Sequence, residues 1–216
     1  MSMSLICENL YQFTTYVPPM DFTLHQYLLA AEPAVLFAAG TVPQARAALP
    51  QMREVLNGRP LKYVFVSHME SDESGGLPVL LEAWPELTVL CSALGARELP
   101  GWGYEGQVRV SGPDAPLQDG ALSLRFFDYP SEVHLQDGLV CLEGRSGIFY
   151  SADLMLRFGN AGGKVIEGSW QDEVAGISPE RVPNEARRQK LQEALLSASP
   201  KLIAPGHGFC VRLHGA

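Results

Sequence analysis

His68, Glu70, Asp72 and Glu73 fall within six residues of one another, directly after an apolar run. While the backbone stays extended, the alternating His68, Glu70 and Asp72 share one face. An imidazole and two carboxylates converging on one point make a poor core and a good metal shell. Three further residues of suitable chemistry, His134, Asp153 and His207, each lie at or just past the end of an apolar segment or its connecting loop. If those segments are strands sharing a sheet edge, all three converge with Glu70 and Asp72. Taken singly, each has an ordinary explanation. Residues 68–73 alone would pass for a solvated acidic loop, and His134 or His207 for a surface histidine or one satisfied in the core. Asp153 alone would pass for a helix cap or turn residue. Gly206 and Gly208 on either side of His207 permit close backbone approach to something bound. His25 and His214 have no comparable context.

The elements that must position these residues are those of an α/β chain. Tyr63-Val64-Phe65-Val66 reads as a strand buried on both faces. The polar loop after it, Gly75-Gly76 and then a helix with Pro78 in its first turn follow the order strand, loop, helix. That places the loop at the carboxyl edge of a sheet, where ligands gather in open α/β folds. Upstream, residues 5–17 read as one strand, and 23–31 with 33–39 as a hairpin, although the first arm could pass for a helix turn. A helix is expected over 42–56, ended by Asn57-Gly58 and kinked or split at Pro50. Downstream come strands at 87–91, 108–110 and 122–127, a short helix at 93–99, and a hairpin at 138–151 turning on residues 144–147. Residues 157–177 are Gly-rich and patternless, the best candidate for a mobile loop over a site. A helix from Ser178 to about Ser197 and a last strand at 201–204 complete the reading.

With 216 residues, the chain is expected to form one domain, 1–216, burying roughly 70% of its unfolded surface without a disulfide or metal to help. Apolar residues are 46% and charged residues 19% of the total. The net charge of −8 argues against nucleic acid or an anionic membrane as the main partner. Apolar runs fall short of the ~18 residues a spanning helix needs, and the N-terminus lacks the pattern of a secretory signal. Cys7, Cys91, Cys141 and Cys210 are scattered, with no C-x-x-C pair. That fits reduced thiols in a cytoplasmic protein and excludes a rubredoxin-like or zinc-ribbon site.

The stretch 61–101 resembles the diiron domain of flavodiiron proteins, within the metallo-β-lactamase superfamily. The H-x-E-x-D motif stands as His68-Met69-Glu70-Ser71-Asp72, followed by Ser74-Gly75-Gly76-Leu77-Pro78. The likeness continues through His134, Phe149-Tyr150-Ser151-Ala152-Asp153 and Ala204-Pro205-Gly206-His207-Gly208, in motif order. It implies the four-layer αβ/βα sandwich of the metallo-β-lactamase fold. Carried across by motif, the first metal takes His68, Glu70 and His134, the second takes Asp72 and His207, and Asp153 bridges both. Glu70 stands where hydrolase members usually carry a second His. Two iron ions suit this thiolate-free shell, with zinc or manganese as the other candidates.

The sequence departs from the family in three places. Glu73 stands where relatives have a His that ligates in some members, so its carboxylate could bind the second metal or point away. Ala39 lies near the end of an N-terminal strand where many members have a structural Asp. No flavodoxin segment follows, so no home for FMN is expected in this chain, and a separate flavoprotein or a dimer partner would have to deliver electrons. The resemblance therefore implies a diiron protein that binds O₂ or NO, as a sensor or carrier with a signalling partner, or as a partner-dependent oxidoreductase. The alternative is a dinuclear zinc hydrolase, whose chemistry is attack by metal-activated water. Glu70 counts against it, because an added anionic ligand lowers a metal's Lewis acidity. A scaffold that binds partners and no metal is a third reading, against which stand six retained candidate ligands.

Overall fold

In the computed structural model, which describes residues 1–130 and 138–214, the first half of the chain forms one sheet and the second half another. The first sheet runs in sequence order: β1 (Ser2–Cys7), β2 (Leu10–Val17), β3 (Phe22–Leu29), β4 (Ala34–Phe37), β5 (Leu61–Phe65), β6 (Thr88–Cys91) and β7 (Gln107–Val110). Strands β1 to β4 pair antiparallel, and β4 to β7 pair parallel. The parallel part needs crossovers, supplied by α1 (Val42–Leu56), then α2 (Ser71–Ser74) with α3 (Leu77–Ala83), and then α4 (Ala93–Glu98). The second sheet contains β8 (Leu117–Asp119), β9 (Leu122–Tyr129), β10 (Gly138–Glu143), β11 (Ile148–Ala152), β12 (Val165–Gly168), β13 (Leu202–Pro205) and β14 (Cys210–Leu213). Their spatial order is β12-β14-β13-β11-β10-β9-β8, with α5 (Trp170–Ala175) and α6 (Glu185–Leu196) outside.

The apolar strands alternate between two cores, and that makes the layers. Val35, Phe37, Tyr63 and Phe65 point between the sheets, against Leu124, Phe126, Cys141 and Tyr150. Their neighbours Ala34, Leu36, Val64 and Val66 pack outward with Ala48 and Met52 of α1 and with Leu77 and Leu80 of α3. On the far side, Val140, Leu142, Phe149 and Ile203 pack against Trp170 and Val174 of α5 and Leu191 and Leu195 of α6. A strand covered on both faces needs an unbroken apolar run, the pattern the sequence carries at 63–66 and 138–142. The result is helices, sheet, sheet, helices: the four-layer α/β sandwich.

Several elements differ from the sequence reading. Residues 5–17 are not one strand: Asn9, at φ +62, turns the chain between β1 and β2. The segment 22–29 is strand throughout, not a helix turn. Helix α1 runs unbroken through Pro50. Pro50 and Arg46 are both exposed, so solvent can satisfy the Arg46 carbonyl that Pro50 cannot reach. Residues 157–177 are no patternless loop, because they contain β12, paired parallel to β14, and α5, capped by the Ser169 side chain. Ser178 opens only a single turn, which ends at Val182-Pro183, and α6 starts afresh behind its own cap, Asn184. The last strand, β14, follows the His207 loop where only a tight turn is expected.

Candidate metal centre

Five acidic and imidazole side chains from both sheets meet at the carboxyl ends of β5, β11 and β13. After β5 the chain passes through Ser67, which is stitched to the second sheet: its Oγ donates to the Leu139 carbonyl (2.6 Å), and its own carbonyl accepts from the Leu139 N–H (2.9 Å). His68 is 1% exposed, with Nδ1 3.2 Å from Ser67 Oγ. With the Ser67 hydroxyl proton given to Leu139, Oγ accepts from Nδ1–H, and Nε2 faces the site. Nε2 lies 3.7 Å from Glu70 and 3.9 Å from Asp153 Oδ2. Donor atoms of these three residues all fall within 4.8 Å of one another.

Glu70 is still extended (φ −115, ψ 163), but Asp72 already sits in α2. The strict alternation expected from the sequence therefore ends at Glu70, and the turn into α2 brings Asp72 to a second position. There its Oδ2 lies 3.4 Å from His207 Nε2. Asp153 lies between the two groups. Its Oδ1 is 3.1 Å from His207 Nε2, while its other oxygen faces His68. The path to that position is a bulge: pairing of β11 with β13 shifts register between Tyr150 and Ala152, and Ala152 takes a left-handed conformation at φ +43. Such a bulge re-aims the next side chain, here at a cost on the order of 1 kcal/mol or more.

His207 is fixed on its other edge, where Nδ1 lies 2.9 Å from the Thr23 carbonyl. A carbonyl only accepts, so Nδ1 carries a proton. Nε2 faces the two carboxylates, to which it donates when the ring is protonated, and its lone pair would be free for a cation once that proton leaves. Phe22 stacks on the ring at 4.3 Å between centroids, and exposed Phe158 tilts over Phe22. The glycines beside His207 serve the protein itself. A Cβ on Gly208, at φ +92, would lie 2.5 Å from the Arg157 carbonyl oxygen, and one on Gly206 would make only ordinary contact with Ala152.

Glu73 turns away from this convergence. Its Oε2 accepts from the Ser67 N–H at 3.1 Å, and its Oε1 accepts from the Tyr150 hydroxyl. Ala39, buried at the end of β4, donates its N–H to the Glu73 backbone carbonyl at 2.7 Å. His134 lies outside the described residues. His25, set aside in the sequence, is buried beside the His207 loop. No sequence signal marks it or Thr23, because their partners in the His207 loop lie 183 or more residues away along the chain.

The electrostatics are those of crowded anions. Burial pulls His68 down, yet Glu70, Glu73 and Asp153 outweigh it and raise its pKa to about 9. Burial likewise opposes charge on His207, and Asp153, the Thr23 carbonyl and Asp72 together raise it. Burial lifts Glu73 to about 7 despite His68 and the Tyr150 hydrogen bond. Imidazoles held protonated by surrounding carboxylates mark a pocket whose field favours cations. Three carboxylates and two imidazoles, with no thiolate, fit iron, manganese or zinc.

Residues 26–207 match the model of the metallo-beta-lactamase superfamily, and the chain belongs to that superfamily. Within it, the match is to the diiron core of flavodiiron proteins. The chain is 26% identical over 199 residues to the diflavin flavoprotein A 2 of Thermosynechococcus vestitus, covering 88% of this chain and 34% of that protein. To the rubredoxin-oxygen oxidoreductase of Megalodesulfovibrio gigas it is 24% identical over 210 residues, covering 90% of this chain and 50% of that one. The chain thus spans a third to a half of the length of these relatives. The crystal structure of the flavodiiron protein from Giardia intestinalis superposes with a TM-score of 0.78 at 16% identity, over 99% of this chain and 56% of that one. At such identity the likeness is one of fold.

Among the described residues, no helix is long and apolar enough to cross a membrane. The four cysteines are free thiols.

Proposed function

We propose that this chain binds O₂ or NO at a pair of iron ions, the first held by His68, Glu70 and His134, the second by Asp72 and His207, with Asp153 shared. The observation that carries this reading is the placement of Asp153, one oxygen toward each imidazole. An iron pair, when bound, supplies electrons to a diatomic ligand. The protein's part is to bind and orient. Ser67 aims His68, the Thr23 carbonyl aims His207, and Phe22 keeps water from one face of the His207 ring. Glu73, held by Ser67 and Tyr150, braces the 67–73 turn rather than ligating. The relatives, a flavoprotein and a rubredoxin-oxygen oxidoreductase, support oxygen chemistry and an electron supply from a flavin- or rubredoxin-type partner. We assign that supply, or a signalling role, to a separate protein or to a second copy of the chain in a homodimer. The single domain 1–216 has a reducing, cytoplasmic setting, which free thiols favour.

The test is metal analysis of protein purified without oxygen after iron-replete growth, with spectra taken before and after air. Two irons per chain and a near-ultraviolet band that changes on exposure are expected. Colourless protein with stoichiometric zinc would overturn the iron assignment in favour of a hydrolase.

A further inference from the structure

The loop carrying His207 belongs to the second sheet, yet the first sheet holds it. Thr23, His25 and Tyr27 alternate along β3, and all three are buried between the sheets. The Tyr27 hydroxyl donates to the Pro205 carbonyl at 2.9 Å. The His25 N–H donates to the Gly206 carbonyl at 2.9 Å. Thr23 takes His207 Nδ1 on its carbonyl and the Gly208 N–H on its Oγ1 (3.1 Å). The Gly208 carbonyl lies 2.9 Å from His25 Nε2. Four consecutive residues are thus gripped by three alternate ones.

His25 is fixed from behind, its Nδ1 2.9 Å from Thr14 Oγ1. Because the Gly208 carbonyl only accepts, Nε2 carries the proton, and Nδ1 receives the Thr14 hydroxyl. His25 and His207 therefore turn opposite ring nitrogens to a backbone carbonyl, Nε2 in one and Nδ1 in the other. Among the described residues, His68 is oriented by Ser67, which belongs to the β5 end and not to β3.

We propose that His25, aided by Thr23, is a positioning residue for the second metal: the β3 clasp holds His207 in the one orientation that turns its Nε2 toward Asp72 and Asp153. The inference rests on the dinuclear reading above and assigns a selective role within it. Losing His25 should weaken the second ion alone, because the described ligands of the first, His68 and Glu70, sit on the segment after β5, with His68 aimed by Ser67.

Cobalt(II) titration under argon, followed by the visible absorption of each equivalent, tests this. The parent should take two equivalents. His25→Leu should bind the first unchanged and the second about 10- to 100-fold more weakly, the range for loss of a group that orients a ligand. His25→Gln, whose amide can still donate to the Gly208 carbonyl, should recover most of the second affinity. A merely structural role would not be rescued in that pattern. Both equivalents bound by His25→Leu with parental affinity, or both lost in step, would overturn the proposal. Should His25→Leu fail to fold, Thr23→Val replaces it: the carbonyl stays, and the hydroxyl under Gly208 goes. A weaker second equivalent supports the clasp there, and an unchanged one overturns it. A parent that takes up no cobalt overturns the dinuclear reading itself, an outcome distinct from unselective loss in the variants.

Discussion

The two halves of the centre are built in opposite ways. His68, Glu70 and Asp72 come from one short segment leaving one strand, and the turn into α2 sets their spacing. Asp153 and His207 arrive singly from β11 and β13, and each depends on contacts far away in sequence: the bulge against β13 for one, β3 for the other. A contiguous half is assembled by local conformation, while a dispersed half is assembled by packing. The first can be read along the chain; the second exists only once two sheets have met.

The largest effect should come from Asp153, the residue of the dispersed half that faces both imidazoles. Asp153→Asn is expected to abolish binding of both ions, weakening each by more than the ~100-fold upper end for a group that only orients a ligand. Metal analysis after dialysis would decide it, and two ions retained would refute a shared role for Asp153. Next, His68→Ala and His207→Ala should each lose one ion and keep the other. A matched loss of both in either variant would show that the two metal positions are not independent.

Acid and alkali should act on different imidazoles of the metal-free protein. Burial lowers His25 to about 4, despite the Gly208 carbonyl. A lowered base leaves the unfolded chain binding more protons between pH 6.5 and 4. The stability His25 contributes is therefore present above 6.5 and falls by ~3 kcal/mol on the way down to 4. His68, raised to about 9, has the opposite sign: its contribution is present below 6.5 and is lost as pH climbs to 9. Glu73, raised to about 7, gains stability over the same range as pH falls and opposes the acid limb. Urea unfolding at pH 4.5, 6.5 and 9 therefore reads that limb as the difference between the parent and His25→Gln, which should be largest at pH 4.5. The smallest effect is expected at Glu73. Glu73→Gln should leave the metal content at two ions per chain, and loss of one would make the carboxylate a ligand.

What was legible follows the same division. The run 63–66, the polar turn and the double glycine lie side by side, so strand, loop and helix can be read in order, and with them the layered α/β architecture. Alternation up to Glu70 was legible too. The helical turn that redirects Asp72 was not, since Ser71-Asp72-Glu73-Ser74 has no apolar face to announce a helix. The strand β12 leaves little trace in the sequence because it lies at a sheet edge with little buried surface, and the expected helix from Ser178 is longer than α6 because Ser178-Pro179 imitates a helix start. The bulge at Ala152 carries no glycine to mark its left-handed turn. His25 has no context along the chain comparable to that of His68 or His207, and its partners Thr14 and Gly208 are 11 and 183 residues away.

Asp153 stands on one slab of the sandwich and His68 on the other, each slab with its own outer core. Cations seated across that junction would act as rivets. A chain with only one layer formed could offer no complete cage, so capture waits for docking and then locks it. Melting temperature should therefore climb with free metal concentration by mass action, and a chelator should loosen the join between the layers before it loosens either layer.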